Sequence, residues 1–439
     1  MTERNATPGS APVARPPAAS AGPPVFRAGP SSEPALGTPP QPRAAAAKPF
    51  AGETLSPLQA TLTTRVALLL PLSGANGALG DDMLKAAQLA MFEFANERFE
   101  LFVHDTRGTP EGAADAASLA IADRTALILG PLLAKSVVAA APAARAAAIR
   151  MLAFSSDRSV TGDGVYAMGF FPEADVERVV GYARSRGLRR FAAIAPDNEF
   201  GLTVVEALRR TVSSEGGVVS RVEYYDPFAV DFNAPIKRLA QFEARKQALA
   251  AQRTQLEGRD DEVARRALAR LQNLQTIGDL PFDALMVADG GERLQAVAAL
   301  LPFYDIDPGK VRILGTGQWD EPGIGAEPAL IGSWFAAPPP AARAEFERRF
   351  EDVFGAKPRR LATLAYDATA LAVVLAGAEG GPDYSEATWN APSGFAGRDG
   401  VFRFRSDGTA ERGLAVLEVQ RNGAKVIGDA PRSFEARMN

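Results

Sequence analysis

From Arg65 onward the chain alternates short runs of Val, Ile, Leu and Phe with Ala-rich helical stretches, and this rhythm constrains the fold more than any single motif. "RVALLLPLSG", "FELFVHDTRG", "TALILGPLLAKS" and "IRMLAFSSD" each hold a short apolar run rich in Val, Ile, Leu and Phe that ends in Gly, Pro, Ser or Asp. Strands that are apolar on both faces are buried on both faces, so strand–helix alternation of this kind predicts a parallel sheet with helices above and below. "RRFAAIAPDNEFG", "GVVSRVEYYDPF", "FDALMVADGG" and "VRILGTGQWDEPG" repeat the pattern, which predicts a second, similar α/β half. Asp81-Asp82 ahead of "MLKAAQLAMFEFANE" reads as a helix start, with Met83, Ala87, Ala90, Met91 and Phe94 at helical spacing.

A chain of 439 residues with 46% apolar residues can fill two cores. The net charge of -4 provides no basic field, which argues against nucleic acid or an anionic membrane surface as partner. The absence of cysteine removes disulfides, thiolate metal sites and thiol nucleophiles, yet fixes no compartment. Residues 1–62 are rich in Pro, Ala, Gly and Ser with few large apolar side chains, so they read as a disordered, partly polyproline-like tether. Neither an export signal at Met1 nor a stretch of membrane-spanning length is visible, so an upstream start or removed leader is expected if the protein acts outside the cytoplasm.

Gly74, Gly77 and Gly80 form G-x-x-G-x-x-G, which is neither the dinucleotide fingerprint nor a P-loop, since no Gly-Lys-Ser/Thr follows. Two readings stay open: a helix N-terminus whose N–H groups favour an anion, with Ser73 beside it, or glycines that only let the chain turn. Catalysis finds little footing. The lone histidine, His104, closes an apolar strand and reads as structural, no G-x-S-x-G elbow exposes a serine, and no metal-ligand spacing occurs. The chain reads as a non-enzyme without cofactor.

In order along the chain, "VALLLPLSG", "VHDTRGTPEGAADAASLAI", "LILGPLLAKSV", "MLAFSSD", "GFFPEADV" and "APDNEFG" resemble the landmarks of type I periplasmic binding proteins of the leucine/isoleucine/valine kind. The resemblance covers about 65–428. "PFDALMVADGGERLQAVAALLPFYDI", "VRILGTGQWDEPG", "LIGSWFAAPPP", "FEDVFGAKPRRLATLAYDATALAV" and "GRDGVFRFRSDGTAERGLAVLEVQRNG" are most similar to the penicillin-binding protein activator branch, outer-membrane lipoproteins that stimulate peptidoglycan synthases. The resemblance implies a two-lobed α/β clamshell, with 65–170 and 334–388 in lobe 1, and 171–333 and 389–430 in lobe 2. Hinges are expected near Phe171-Pro172, Trp334 and Gly394. It further implies a cleft lined by Leu133, Ala134, Lys135, Ser136, Ala153, Phe154 and Ser155, with backbone N–H and hydroxyl groups turned to a carboxylate. Lobe 2 would add Phe200 and the Thr316–Trp319 loop, including Gln318 and Trp319. That loop lacks the acid that amino-acid binders set against an α-amino group, and the nearest candidates are Asp289 and Asp320.

Residues 236–275 carry leucines and alanines at helical spacing among alternating charges, broken by Gly258-Arg-Asp-Asp. They read as two antiparallel helices inserted in lobe 2, with Asp260 or Asp261 capping the second. Such a hairpin is either a solvated face or a partner-docking arm. Two functions follow from the resemblance, and the missing acid, the inserted arm and the long Pro-rich tether favour the first. One is a non-catalytic, periplasmic or outer-membrane-associated regulator contacting a peptidoglycan synthase, that is, a penicillin-binding protein. The other is the substrate-binding subunit of an ABC importer, docking a permease and carrying a branched-chain or related amino acid or amide.

Overall fold

The computed structural model describes residues 63–434 together with Val25–Arg27. The expectation of a disordered tether therefore falls almost wholly outside the described residues. Within it, Val25–Arg27 forms strand β1. Lobe 1 begins with β2 (Thr64–Leu70), α1 (Gly77–Phe94), β3 (Phe99–Asp105) and α2 (Pro110–Ala122). It continues through β4 (Leu127–Leu129), α3 (Ala134–Ala146), β5 (Arg150–Ala153) and β6 (Val165–Ala167). The sheet order is β1-β3-β2-β4-β5-β6, parallel except for β1, which pairs antiparallel along the β3 edge. Val66, Leu68 and Leu70 pack on one face of this sheet and Ala67 and Leu69 on the other, so both faces are dry. Small alanines on α2 and α3 let those helices sit close to the second face.

Lobe 2 holds α4 (Pro172–Ser185), β7 (Arg190–Pro196), α5 (Glu199–Ser214) and β8 (Val218–Tyr225), then α6 (Asn233–Leu239), α7 (Phe242–Glu257) and α8 (Glu262–Leu271). After these come β9 (Ala284–Val287), α9 (Gly291–Leu300), β10 (Arg312–Gly315) and β11 (Trp334–Ala337). The chain returns to lobe 1 for α10 (Pro340–Phe354), α11 (Ala362–Ala376), α12 (Glu386–Trp389) and the small antiparallel sheet β12 (Phe395–Gly397), β13 (Gly400–Phe404) and β14 (Ala410–Arg412). It then crosses back for β15 (Ala415–Gln420) and β16 (Gly423–Gly428). The second sheet runs β16-β15-β11-β10-β9-β7-β8.

Two of the expected crossovers move. Trp334 begins a strand of the lobe 2 sheet, parallel to β10 and antiparallel to β15, so the chain crosses at Pro338–Pro340 rather than at Trp334. Residues 389–413 belong to lobe 1 rather than lobe 2: Trp389, Phe402, Phe404 and Ala410 pack in the same core as Leu364 and Ala368. Arg412 Nη2 also donates to the Met168 carbonyl at 2.6 Å. The third crossover therefore lies at Gly413-Leu414, not at Gly394.

Helix α1 starts at Gly77, ahead of Asp81-Asp82, which sit inside it and pair with Lys85 and Arg359. The glycines before and within its first turn serve packing. Gly74 has φ +76°, and a Cβ on Gly80 would stand 2.1 Å from the Pro71 carbonyl oxygen. The inserted segment also differs from expectation, because it is three helices. Ile236, Leu239 and Ala240 are wholly buried in the lobe 2 core, and a left-handed Gln241 (φ 50°) breaks α6 from α7. Only α7 and α8 form the projecting hairpin, with the Asp261 carboxylate accepting the Ala264 N–H at 2.9 Å as the cap of α8.

Candidate functional site

Parallel sheets converge their loops at the carboxyl ends of the strands, and the two sheets here present those ends to one another beside the crossovers. Between them lies a cavity of about 840 Å³. Lobe 1 lines it with Ala134, the Ser156–Asp157–Arg158 loop after β5, Phe170 and Arg360. Lobe 2 adds Asn198, Glu199, Phe200 and Thr203 from the start of α5, and Thr316, Gly317 and Gln318 after β10. Pro172, Glu173 and Asp175 come from the first turn of α4, just past the first crossover, and Pro338 from the second crossover.

Of the residues expected here, Ala134, Phe200, Thr316, Gly317 and Gln318 line the cavity, and the others are set back from it. Leu133 and Lys135 flank Ala134 along the chain, the first half-buried and the second exposed. Ser136 is buried and its Oγ donates to the Thr109 carbonyl at 3.3 Å, so its hydroxyl is spent inside lobe 1. Ala153 and Phe154 are core residues. The Ser155 hydroxyl accepts the Asp157 N–H at 3.1 Å, shaping the loop that carries Asp157 and Arg158 into the cavity. Ser73 Oγ donates to Asp105 Oδ2 at 2.6 Å and stiffens the loop after β2.

The two candidate acids are also committed elsewhere. Asp289 is buried, holds Arg293 at 2.9 and 3.0 Å, and accepts the Gly290 N–H and the Tyr225 hydroxyl. Trp319 lies beneath it, fully buried, donating Nε1–H to the Asp289 carbonyl at 2.8 Å. Asp320 is taken by Arg343. His104 is buried with Nε2 3.0 Å from Asp123 Oδ2; burial pulls its imidazole below the usual range against the attraction of Asp123.

Several residues that do line the cavity lay beside the quoted landmarks rather than in the expected positions: Asp157 and Arg158 follow Ser155, and Phe170, Pro172 and Asp175 sit in "GFFPEADV". Arg360 had no local signal. Its guanidinium sits 4.4 Å from the centre of the Phe170 ring, with that of Arg412 at 4.7 Å, and its Nη2 is 2.9 Å from Asp399. Arg158 bridges Glu173 and Asp407, both at 3.3 Å. Asp175 is buried and accepts the Gly317 N–H at 2.8 Å. Burial pushes its carboxyl up to about 7, with Glu173 and Asp320 adding to the rise and the Gly317 N–H and Arg360 opposing it. At the lobe 1 wall, the first turn of α3 has no side-chain cap at Leu133, which leaves its N–H groups open to a polar ligand. Among the described residues there is no cluster of acids and histidine that could hold a metal.

Two parallel-sheet lobes, three crossovers and a cavity between the strand ends define a two-lobed solute-binding clamshell. The chain belongs to the periplasmic binding protein family, whose model matches residues 63–424. It is similar in fold to a structure described as a branched-chain amino acid ABC transporter from Rhodospirillum rubrum, at 19% identity, 83% of this chain, 100% of the other and a TM-score of 0.67. A branched-chain amino acid transporter substrate binding protein from Streptococcus pneumoniae, in complex with isoleucine, is 16% identical over 83% of this chain and 99% of its own, TM-score 0.54. An ABC transporter solute binding protein from R. palustris, in complex with benzoate, is 15% identical over 84% and 97%, TM-score 0.54. No curated protein matches the chain by sequence. Among the described residues no helix is long and apolar enough to cross a membrane.

Proposed function

We propose that this protein is the substrate-binding component of an ABC importer, working outside the cytoplasm and taking a small polar solute into the interlobe cavity. The observation that carries this reading is the 840 Å³ cavity at the strand ends of both lobes, lined by aromatic rings and by a few convergent polar groups. The open N–H groups of the first turn of α3 suit a carboxylate, and the kinship with transporter components that hold isoleucine or benzoate supports a ligand of that size. Titration calorimetry with branched-chain amino acids, their amides and aromatic acids tests it: saturable heat at one site per chain is the expected result, and silence across the panel at millimolar concentration would refute the reading.

A second reading, a non-catalytic regulator of a peptidoglycan synthase resembling the penicillin-binding protein activators, is favoured by one observation. The α7–α8 hairpin projects from lobe 2 with Leu249, Ala264 and Leu271 buried along it, a use of chain that a solute cavity does not require. Capture from envelope extract separates the two, since a permease supports the first and a synthase the second.

A further inference from the structure

Arg360 connects the cavity to a buried knot of charge in lobe 1. Asp367 of α11, Asp399 between β12 and β13, and Arg412 of β14 are 4%, 0% and 8% exposed. Arg360 Nη2 lies 2.9 Å from Asp399, while its Nε stands 3.9 Å from Asp320 of lobe 2, which holds Arg343. The Phe170 ring, just ahead of the first crossover, carries the guanidinium of Arg360 at 4.4 Å and that of Arg412 at 4.7 Å. Among the described residues Asp367 Oδ2, Asp399 Oδ2 and the Nε and Nη1 of Arg412 make no hydrogen bond, so the charges of the knot compensate one another across the gap. A Cβ on Gly397 would stand 2.4 Å from Asp367 Oδ2, so the backbone packs this carboxyl in place. Burial, and after it the charge of Asp399, push the Asp367 carboxyl up to about 7, against the Arg398 and Asp399 N–H groups and Arg412. The pair is faced by Arg343 of α10, Arg360 ahead of α11 and Arg412 of β14. On α11 itself, Tyr366 is turned to Glu93 of α1 and to the Arg398 guanidinium.

With Asp367 ionised, Asp320, Asp367 and Asp399 balance Arg343, Arg360 and Arg412 one for one. With Asp367 protonated, Arg412 and Arg360 compete for Asp399. Arg412 is buried, whereas the Arg360 side chain is 30% exposed and lines the cavity, so Arg360 is the one to give way. The carboxylate left to it, Asp320, belongs to the other lobe. We propose that Asp367, Asp399 and Arg412 form a proton-operated latch: proton uptake at Asp367 loosens Arg360 from Asp399 and turns it to Asp320, so that acidification favours the closed clamshell. Closing draws Arg360 away from the buried pair and thereby raises the proton affinity of Asp367; linkage then requires acid to favour closure in return. The latch acts on the cleft of the solute-binding reading above, on which its role in uptake rests, but its movement is read without any ligand.

The chain has no cysteine, so Leu119→Cys on lobe 1 and Leu202→Cys on lobe 2, both exposed, place two spin labels in the full chain without further change. The mean distance between them is expected to be shorter at about pH 5.5 than at about pH 8.5, with a midpoint near 7. Asp367→Asn fixes the neutral form, so its distance should stay at the short value at both pH values. Arg360→Gln removes the moving part from a half-exposed site and should abolish the shift as well, which keeps the test decisive where Asp367→Asn does not fold. Asp175, the other buried acid raised to about 7, is the control: Asp175→Asn should keep the shift. A distance independent of pH in the unaltered protein, a shift that survives Asp367→Asn or Arg360→Gln, or one that disappears in Asp175→Asn would overturn the latch. None of these outcomes bears on the solute-binding reading, which stands or falls on the calorimetric panel.

Discussion

Arg343 Nη2 donates to Asp320 Oδ1 at 2.9 Å, and this contact ties α10 of lobe 1 to the loop after β10 of lobe 2. Both side chains are mostly buried, at 15% and 11% exposure, and Arg360 stands 3.9 Å from the same carboxylate. Removing one partner of a buried pair strands the other charge, whereas replacing both by apolar groups is far cheaper. Arg343→Met should therefore lower the unfolding free energy by about 3 kcal/mol. The double variant Arg343→Met/Asp320→Leu should recover most of that loss. Urea titrations of the four forms measure the cycle; additive losses would show that the pair does not couple the lobes.

Asp175 gives stability a distinctive pH dependence. In the unfolded chain its carboxyl titrates near 4, as for any aspartate, while burial holds it near 7 in the native state. The native protein thus binds the extra proton between those values. The stability this group contributes is fully present below about pH 4 and is lost as pH rises through about 7. Asparagine at this position stays neutral throughout. Asp175→Asn should be close to the unaltered protein at about pH 3.5 and more stable by roughly 2–4 kcal/mol at about pH 8, where the upper figure is the cost of ionising so raised a carboxyl and the lower allows for relaxation around it. Equal differences at the two pH values, measured by urea midpoint, would show that the carboxyl is not held neutral.

The alternating fold was legible because its cause is local. Val66, Leu68 and Leu70 on one face and Ala67 and Leu69 on the other announce a strand buried on both sides wherever it sits. The crossovers were not, because membership of a sheet is decided by distant neighbours. "SWFAA" reads the same in either lobe, and only the pairing of Leu314 with Trp334 and of Leu417 with Phe335 places it in lobe 2. The cavity was legible as a set of loops, not as a set of side chains. Ser155 and Asp157 are two residues apart, yet the first turns its hydroxyl to the backbone of the second and only the second reaches the cavity. Arg360 arrives from a turn whose sequence carries no sign of its stacking on Phe170.

The inserted helices divide into a part that holds lobe 2 together and a part that does not. Ile236 is wholly buried against the lobe 2 core, so Ile236→Ala should cost about 2–4 kcal/mol. Past Phe242 and Arg245, which anchors to the Gly278 carbonyl at 3.2 Å, the hairpin buries mainly its own Leu249, Ala264 and Leu271. Replacing 246–274 with a short Gly-Ser linker removes a self-contained unit and changes loop-closure entropy only slowly. The stability of that form should stay within about 1 kcal/mol of the full chain. Calorimetric melting of both variants decides; a hairpin deletion as damaging as Ile236→Ala would mean that the arm is part of the core.

Beyond β16 the chain leaves lobe 2 and returns to lobe 1, which adds a link between the lobes beyond the three crossovers. Arg178 of α4 fixes its start by donating Nη2–H to the Asp429 carbonyl at 2.8 Å. Pro431 reaches Gly413, where a Cβ would stand 3.1 Å from the proline ring. Phe434 then lies against Gly394 of the small lobe 1 sheet, with the Arg403 guanidinium 4.6 Å from its ring centre. A contact of this kind at a half-exposed site is worth about 1 kcal/mol, too little to hold the fold but comparable with the energies that separate open and closed clamshells. Phe434→Ala should therefore leave the melting temperature nearly unchanged and broaden the distribution of distances between spin labels placed at Leu119 on lobe 1 and Leu202 on lobe 2, both exposed. An unchanged distribution would mean that the crossovers alone set the range of opening.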